Sequence, residues 1–372
     1  MKLNKEIEDI YSGIHYFLNN LKKPNSEFSF FPALEGLTEE GKNLSLGFSC
    51  YALKINFMLG NTNKNLNEIS KWADYLNSFQ RNESGLPNNS YIDPYLKEGY
   101  ENIGMKLLFK ESLKSFLNIL YTPMKLQKYE TNEIKFKKTI NAETKQAIST
   151  LYQVNLPNKN LVENQFEKFE NLEYYLNSLD WSFPWDAGAQ YSSFCVYSVT
   201  QNFDINENLV NFINKKVDRN TGSYFDKKPT TTRQIINGAM KVITGLDWLE
   251  EEIHYPEKLI DYCIQNRPIL EGCDIVDYVY TIYKCSQQVD YKKKEINKIL
   301  NEILVDIIRL RYKDEGGFSY FQDKSQSHYY GIKITNSLKT PDLHGTLLCL
   351  WALNMILDNL GELDNEKQII KP

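Results

Sequence analysis

Apolar residues recur along most of this chain every three to four positions, whereas alternating apolar and polar positions are scarce. The first pattern is typical of amphipathic helices and the second of strands, so the sequence predicts a protein built from helices. The predicted helices lie at residues 44–59, 66–79, 142–153, 185–201, 232–249, 275–284, 294–311 and 341–360. Between them lie stretches of Gly, Pro, Asn and Asp, which end helices and form turns.

Four of the predicted helices begin with short segments that align without gaps. Their aligned positions are 146, 190, 234 and 278, which are 44 residues apart, and further members lie at 343–347 and 46–50. A period of this length with two helices per unit predicts helical hairpins stacked side by side. We therefore expect an all-α protein of about six hairpins, a single domain over residues 1–372, with insertions near 94–138 and 313–340.

A second repeat lies in the polar turns that follow three outer helices, at residues 79–85, 217–226 and 312–319. Each turn contains glycine, which suits the positive φ at the end of a helix, and the apolar residue that follows can pack back over the next helix. Hairpins joined in this way can close into a ring of inner helices surrounded by outer helices.

These turns resemble the Gly-aromatic turns of the squalene-cyclase and protein-prenyltransferase β-subunit group, whose fold is the α/α toroid. The C-terminal third is similar to the prenyltransferase order of an Asp-bearing helix (272–278), a Gly-Gly turn (315–319) and a His-bearing helix (341–350). The resemblance implies an (α/α)6 toroid. Two features depart from these families: Val279 stands where prenyltransferases have a zinc-binding Cys, and no Asp-x-Asp-Asp acid motif is present. We expect no metal and no cofactor.

The repeat places charged and polar residues at one end of the expected ring. The residues in equivalent first-turn positions are Lys145, Ala189, Arg233, Asp277 and His344. Those in the next position are Gln146, Gln190, Gln234, Tyr278 and Gly345. Converging helix N-termini carry partial positive charge and free N–H groups, which together with Lys145 and Arg233 can hold an anion. The alternative is that these residues face solvent or pair across helices.

Four residues are candidates for acid–base catalysis at this end. The near-neutral pKa of an unperturbed histidine suits His344 to proton transfer, and Tyr191 could share that role. Asp274 and Asp277 lie three positions apart on one helix face, so both carboxylates can enter one cavity. The structural alternatives are a capping histidine and ordinary acidic residues at a helix N-terminus.

Three further residues are candidates for substrate contact. Asp186 lies in the aromatic segment 181–191, and Tyr329 and Tyr330 lie in the insertion that precedes the His344 helix. Long loops in compact domains are often lids or binding loops. Aromatic side chains there suit a stacked sugar or a polyprenyl chain, and packing is the alternative.

The overall charge excludes some partners. There are 43 Lys+Arg and 48 Asp+Glu, a net charge of 43 − 48 = −5, without a basic stripe, so we expect no nucleic acid. No uninterrupted apolar stretch approaches the length of about 18 residues that spans a membrane, and the polar start does not fit a signal peptide. We expect a cytoplasmic protein without a transmembrane segment.

Three functions remain open. The first is an enzyme of the prenyltransferase and terpene-cyclase-like group that acts on an anionic substrate such as an isoprenoid diphosphate, as the resemblance implies. The second is a toroid enzyme that acts on an acidic sugar or polysaccharide as a lyase, hydrolase or epimerase. The third is a non-catalytic binding scaffold. For the two enzyme functions we expect a small molecule or glycan in the central cavity.

Overall fold

The computed structural model describes residues 2–63, 65–101, 111–114, 131–164, 166, 168–227, 229, 231–267, 269 and 271–372. Its helices are α1 (Lys2–Leu21), α2 (Glu39–Asn43), α3 (Leu46–Met58), α4 (Leu66–Asn77), α5 (Pro94–Glu101), α6 (Asn132–Gln153), α7 (Phe169–Ser178), α8 (Pro184–Thr200), α9 (Asn206–Asn214), α10 (Thr232–Leu249), α11 (Pro256–Gln265), α12 (Cys273–Gln288), α13 (Lys293–Arg309) and α14 (Leu343–Leu360). Two short antiparallel hairpins pair β1 (Gln80–Arg81) with β2 (Ser90–Tyr91) and β3 (His328–Tyr329) with β4 (Ile332–Lys333). The all-α prediction is confirmed.

Six helices, which we call the inner helices, contact one another in cyclic order. The successive contacts are α3 with α6, α6 with α8, α8 with α10, α10 with α12, α12 with α14, and α14 with α3. Their N-terminal ends meet, as in the bond between Arg233 and Asp274, and their C-terminal ends meet, as in the bond between Ser286 and Asn359. The inner helices are therefore parallel. Helices α3 and α14 are almost wholly buried, as expected for helices that are apolar on every face.

The remaining long helices, α1, α4, α7, α9, α11 and α13, lie outside the inner helices. The repeat predicted a second helix in each unit, but the pattern did not give bounds for α7, α9 and α11, nor did it predict α1. Helix α1 lies against α14, where the Tyr11 hydroxyl donates to Asn354 Oδ1 over 3.0 Å. It also contacts the turn after α13, where Arg311 donates to the Asp9 carbonyl. The first outer helix therefore packs beside the last inner helix.

The glycine turns have the predicted geometry. Gly85, Gly222 and Gly316 have φ values of 79°, 76° and 85°. At Gly316 an added Cβ would lie 2.0 Å from the Gly13 carbonyl oxygen, so the turn approaches α1 more closely than any side chain would allow. The aromatic residue after the glycine in the second turn, Tyr224, is fully buried, as predicted.

The structure differs from the prediction at the start of α6 and at the insertion near 94–138. Helix α6 begins at Asn132, ten residues before the predicted start at 142, so the insertion predicted near 94–138 overlaps an inner helix. Residues 102–110 and 115–130 of that insertion lie outside the described residues. The insertion predicted at 313–340 does lie between α13 and α14 and contains the β3–β4 hairpin. Because α6 begins early, Lys145 lies in the middle of α6, and its prediction as a first-turn residue is wrong.

The C-terminal segment 361–372 crosses the C-terminal ends of the inner helices. Its backbone bonds to Met58 at the end of α3 and to Gln153 at the end of α6, and the Trp248 indole of α10 donates to the Pro372 carbonyl. Of the described helices, α14 is long and apolar enough to cross a membrane, and 78% of that stretch is buried inside the protein. This segment covers one end of the ring, and the residues described next lie toward the other end.

Candidate functional site

Three lysines from three different inner helices approach one another inside the ring. They are Lys54 of α3, Lys145 of α6 and Lys241 of α10, and we call them the lysine cluster. Lys54 Nζ donates to Ser149 Oγ over 3.1 Å, and Lys241 Nζ lies 3.4 Å from Asp277 Oδ1. The Lys145 ammonium has no hydrogen-bond or ion-pair partner among the described residues. An ammonium group has three N–H donors, so this cluster has spare donors for an anion.

The environment of the cluster changes the charge state of two of its members. Burial, followed by the charges of Lys241 and Lys54, lowers the pKa of Lys145 from 10.5 to about 7. Burial also lowers the pKa of Lys54 to about 8. A large fraction of Lys145 is therefore the neutral amine at neutral pH, which makes it a base or a nucleophile as well as a cation.

The buried Asp277 lies beside Lys241, and a second buried carboxyl group, Glu143 of α6, is bonded to Tyr329. Burial raises the pKa of Asp277 to about 6, although the nearby Lys241 opposes this, and Asp277 Oδ2 has no hydrogen-bond partner. Burial raises the pKa of Glu143 to about 8, although the hydrogen bond from the Tyr329 hydroxyl opposes this. Glu143 is therefore mostly protonated at neutral pH, whereas Asp277 is mostly ionised and pairs with Lys241.

His344 lies at the same end of the ring in a neutral state. Its ring stacks on Tyr51 with centroids 4.5 Å apart, and Nδ1 lies 3.1 Å from Gln326 Oε1. Because that partner is a carbonyl oxygen, Nδ1 carries the hydrogen and Nε2 keeps its lone pair. Burial, followed by the charge of Lys241, lowers the His344 pKa to about 3, so the ring is an acceptor and a weak base.

The segment between α13 and α14 covers part of this end of the ring. The Asp342 carboxylate accepts hydrogen bonds from the backbone N–H groups of Tyr320, Gln326 and Gly345, which fixes the segment to the start of α14. Tyr320 packs against the start of α12, where an added Cβ at Gly272 would lie 2.3 Å from its ring. The predicted lid insertion is thus tied down by buried hydrogen bonds.

Arg233 marks the rim on the side of α8, α10 and α12. Its Nε donates to Asp274 Oδ1 over 2.8 Å, and its guanidinium lies 4.7 Å from the centroid of the Trp185 ring. The Arg233 side chain is 51% exposed, and its two terminal nitrogens have no partner among the described residues. Asp274 also accepts from Asn237, so it serves to orient Arg233. His344 and Arg233 both neighbour Tyr320.

Several predicted site residues lie elsewhere or have a partner. The Tyr191 hydroxyl donates to the Leu209 carbonyl and the Tyr278 hydroxyl to the Cys263 carbonyl, so both point toward outer helices. Asp186 is exposed on the rim and pairs with Lys138 over 2.6 Å. The structure does not bring these three residues to the lysine cluster.

The predicted tyrosines of the insertion lie at the wall of the site. Tyr329 is 4% exposed, and its hydroxyl is bonded to Glu143, so it holds the β3–β4 hairpin against α6. Tyr330 packs on Tyr329 with ring centroids 4.6 Å apart, and its carbonyl accepts from Tyr100. These contacts close the side of the ring formed by α14, α3 and α6.

The three repeat glutamines bridge neighbouring inner helices. Gln146 donates to the Gly47 carbonyl, Gln190 accepts from Asn141, and the Gln234 side chain accepts from the Trp185 backbone. In each pair the glutamine contacts the inner helix that precedes it in the ring. These glutamines therefore pair across helices, which was the alternative to binding an anion.

The sequence patterns did not single out Lys54, Lys241, Glu143, Tyr51 or Tyr320. The two lysines did carry a signal, because each is a single charged residue in an apolar run of a helix. A lysine in a helix that is buried on every face must reach a polar interior. Tyr51 and Tyr320 had no comparable signal, since a tyrosine in an apolar helix or a loop is ordinary.

The described residues contain no group of three or more His, Cys, Asp or Glu side chains placed to bind a metal.

A separate groove of about 670 Å³ lies at the far end of the ring, near Leu246 and Val289. It includes His254, whose two ring nitrogens are bonded to Tyr224 and Asn214. The groove is distant from the lysine cluster, and its histidine is already committed to structural bonds.

No protein-family model matches this chain, and no curated protein matches it. A solved polysaccharide lyase is similar over 96% of this chain and 99% of its own, with 10% sequence identity and a TM-score of 0.47. A likeness at this level carries no inference about reaction or substrate.

Proposed function

We propose that this chain is a single-domain (α/α)6-toroid enzyme that binds the carboxylate of an acidic sugar in the lysine cluster and removes the proton from the adjacent carbon. The observation that carries the proposal is the convergence of Lys54, Lys145 and Lys241 from three inner helices, with no partner for Lys145 among the described residues. The cyclic contacts of the inner helices support the toroid.

The three lysines have different roles in this proposal. Lys54 and Lys241 bind the sugar carboxylate, which spreads the negative charge that develops when the neighbouring carbon loses its proton. Lys145 takes that proton, because a base whose pKa lies near 7 suits the operating pH. Asp277 holds Lys241 in place through their ion pair.

The remaining step depends on a proton donor. Burial keeps the pKa of Tyr320 well above its usual range, so its phenol stays protonated and can donate to the departing glycosidic oxygen. The C–H bond breaks, its electrons form a carbon–carbon double bond, and the C–O bond breaks as the oxygen takes the phenol proton. This is the elimination of a lyase. His344 accepts a hydrogen bond from a sugar hydroxyl through Nε2.

The polar surroundings of the cluster favour a sugar over an isoprenoid. Tyr51, Tyr320, His344 and Gln326 present hydroxyl, imidazole and amide groups. A sugar can bond to His344 Nε2 and to the Tyr51 hydroxyl, which have no hydrogen-bond partner among the described residues, whereas an isoprenoid chain would leave both without one. Trp185 beneath Arg233 adds an aromatic face at the rim, where further sugar units can stack.

The test is a screen of the purified full chain with polymers of uronic acids, such as alginate, pectate and hyaluronan. We expect ultraviolet absorbance from the new conjugated double bond with at least one polymer. Lys145→Arg should abolish it, and the exposed-lysine control Lys298→Met should not. Absence of product from every uronic-acid polymer, together with thermal stabilisation by a prenyl diphosphate, would replace this proposal with the isoprenoid function.

A further inference from the structure

The lysine cluster has a second chemical capacity that does not require a sugar. We propose that the Lys145 amine is a covalent binding site for short aldehydes and ketones that carry a carboxylate, which it captures as an imine. The inference shares the anion site of the proposed function, but the bond that forms is different.

The geometry of Lys145 supports this capture. No described residue bonds to its amine, so no hydrogen bond has to be broken before the lone pair attacks a carbonyl carbon. The side chain is half-buried, which limits competing water. Lys54 and Lys241 lie on either side of it in the ring, and both can bind the carboxylate of the incoming compound.

Groups from four neighbouring inner helices act on this amine. Lys54 of α3 and Lys241 of α10 disfavour its charged form, while Cys195 of α8 and Asp277 of α12 favour that form. Burial is the largest effect and also disfavours the charged form. Desolvation next to other cations is a recognised way to activate a lysine for imine formation.

The reaction is balanced without an oxidant or a reductant. The Lys145 lone pair attacks the carbonyl carbon, and the carbon–oxygen π electrons move to the oxygen. Both amine protons pass to that oxygen, which leaves as water, and a carbon–nitrogen double bond remains. Lys54 and Lys241 do not compete, because Lys54 donates to Ser149 and Lys241 pairs with Asp277.

The experiment treats the full chain with glyoxylate and sodium cyanoborohydride, which reduces an imine to a stable secondary amine. Peptide mass mapping then locates the adduct. We expect one adduct per chain on Lys145, formed roughly tenfold or more faster than on the exposed Lys298, because Lys145 has an amine without a partner beside two anion-binding lysines and a large fraction of it is neutral at pH 7. Propanal, which lacks a carboxylate, should show less preference for Lys145.

Two variants make the result decisive. Lys145→Arg keeps the positive charge but cannot form the imine, so the adduct should disappear. Lys241→Met keeps the amine but weakens the anion site, so the preference for glyoxylate over propanal should fall. Adducts spread evenly over exposed lysines, or an unchanged total in Lys145→Arg, would overturn the proposal. If glyoxylate labels Lys145 in the natural chain but that chain turns over no uronic-acid polymer, only the proposed function would be removed.

Discussion

Replacing Lys145 with methionine should stabilise the ligand-free protein, although most substitutions inside a fold destabilise it. The reason is that folding moves this lysine beside two other cations without supplying a partner. Methionine keeps a side chain of similar length and removes the charge. The same change should abolish turnover of the proposed substrate, because it removes the proposed base, and this is the usual conflict between stability and a functional site.

The magnitude follows from the pKa of Lys145. Folding lowers it from 10.5 to about 7, and each tenfold change in the protonation equilibrium corresponds to about 1.4 kcal/mol, which sets an upper limit of about 5 kcal/mol. Solvent that reaches this half-buried side chain screens the charges, so we expect a gain of about 1–3 kcal/mol. For a chain of this size that raises Tm by about 1–4 °C.

The gain in stability of Lys145→Met should increase as the pH falls. The pKa of Lys145 is lower in the folded than in the unfolded protein, so the penalty is absent above pH 10.5, where both states are neutral. It grows as the pH falls and is complete below about pH 7. Thermal unfolding of Lys145→Met and the natural protein at acidic and alkaline pH, in buffers without phosphate or carboxylates, measures this difference.

Two matched variants test the reasoning. Lys241→Met should lower Tm, because it leaves the buried Asp277 without its cation. Lys298→Met, on the exposed surface, should change stability by no more than about 0.5 kcal/mol. A lower Tm for Lys145→Met than for the natural protein at acidic pH, or an equal gain at both pH values, would refute the argument.

Three further outcomes are expected. Glu143→Gln should leave stability nearly unchanged at and below about pH 4.5, where Glu143 is protonated in both states, and it should stabilise the protein increasingly as the pH rises from 4.5 to about 8, because the natural carboxyl is then ionised in the unfolded chain and protonated in the folded one; chemical unfolding at pH 4.5 and 8 tests both statements. Gly316→Ala should destabilise by about 2–4 kcal/mol in chemical unfolding, because the turn meets a neighbouring carbonyl, whereas Gly85→Ala, with a similar φ and open space, should cost only about 1 kcal/mol. His344→Ala should mainly raise KM on the true substrate, because a ring with a pKa of about 3 accepts a hydrogen bond and is a poor base; a loss of turnover of roughly 10²–10⁴-fold would instead assign proton transfer to it.

Much of the helical layout is readable from local pattern. Helix α10 occupies the predicted residues, and α14 begins two residues after the predicted start, because an apolar period of three to four residues is a property of neighbouring positions. The start of α6 was missed because residues 132–141 are mostly polar and charged. The membership of the squalene-cyclase and prenyltransferase group remains a prediction.

The repeat aligned residues of different inner helices but did not predict the directions of their side chains. Gln190 and Tyr278 occupy equivalent positions, yet Gln190 bridges to α6 while Tyr278 points toward an outer helix. The direction depends on how each helix is rotated against its neighbours. That rotation is set by packing with residues far away in sequence.

By itself the sequence determined the all-α class, the positions of most inner helices and the glycine turns, and it placed Arg233 and His344 near the N-terminal ends of their helices. Only the tertiary structure decided which charges face one another. Lys145 loses much of its charge because Lys54 and Lys241, each more than 90 positions away, are brought beside it in a half-buried space. Coulomb interactions and desolvation depend on distance in space, and no local pattern in the chain encodes them.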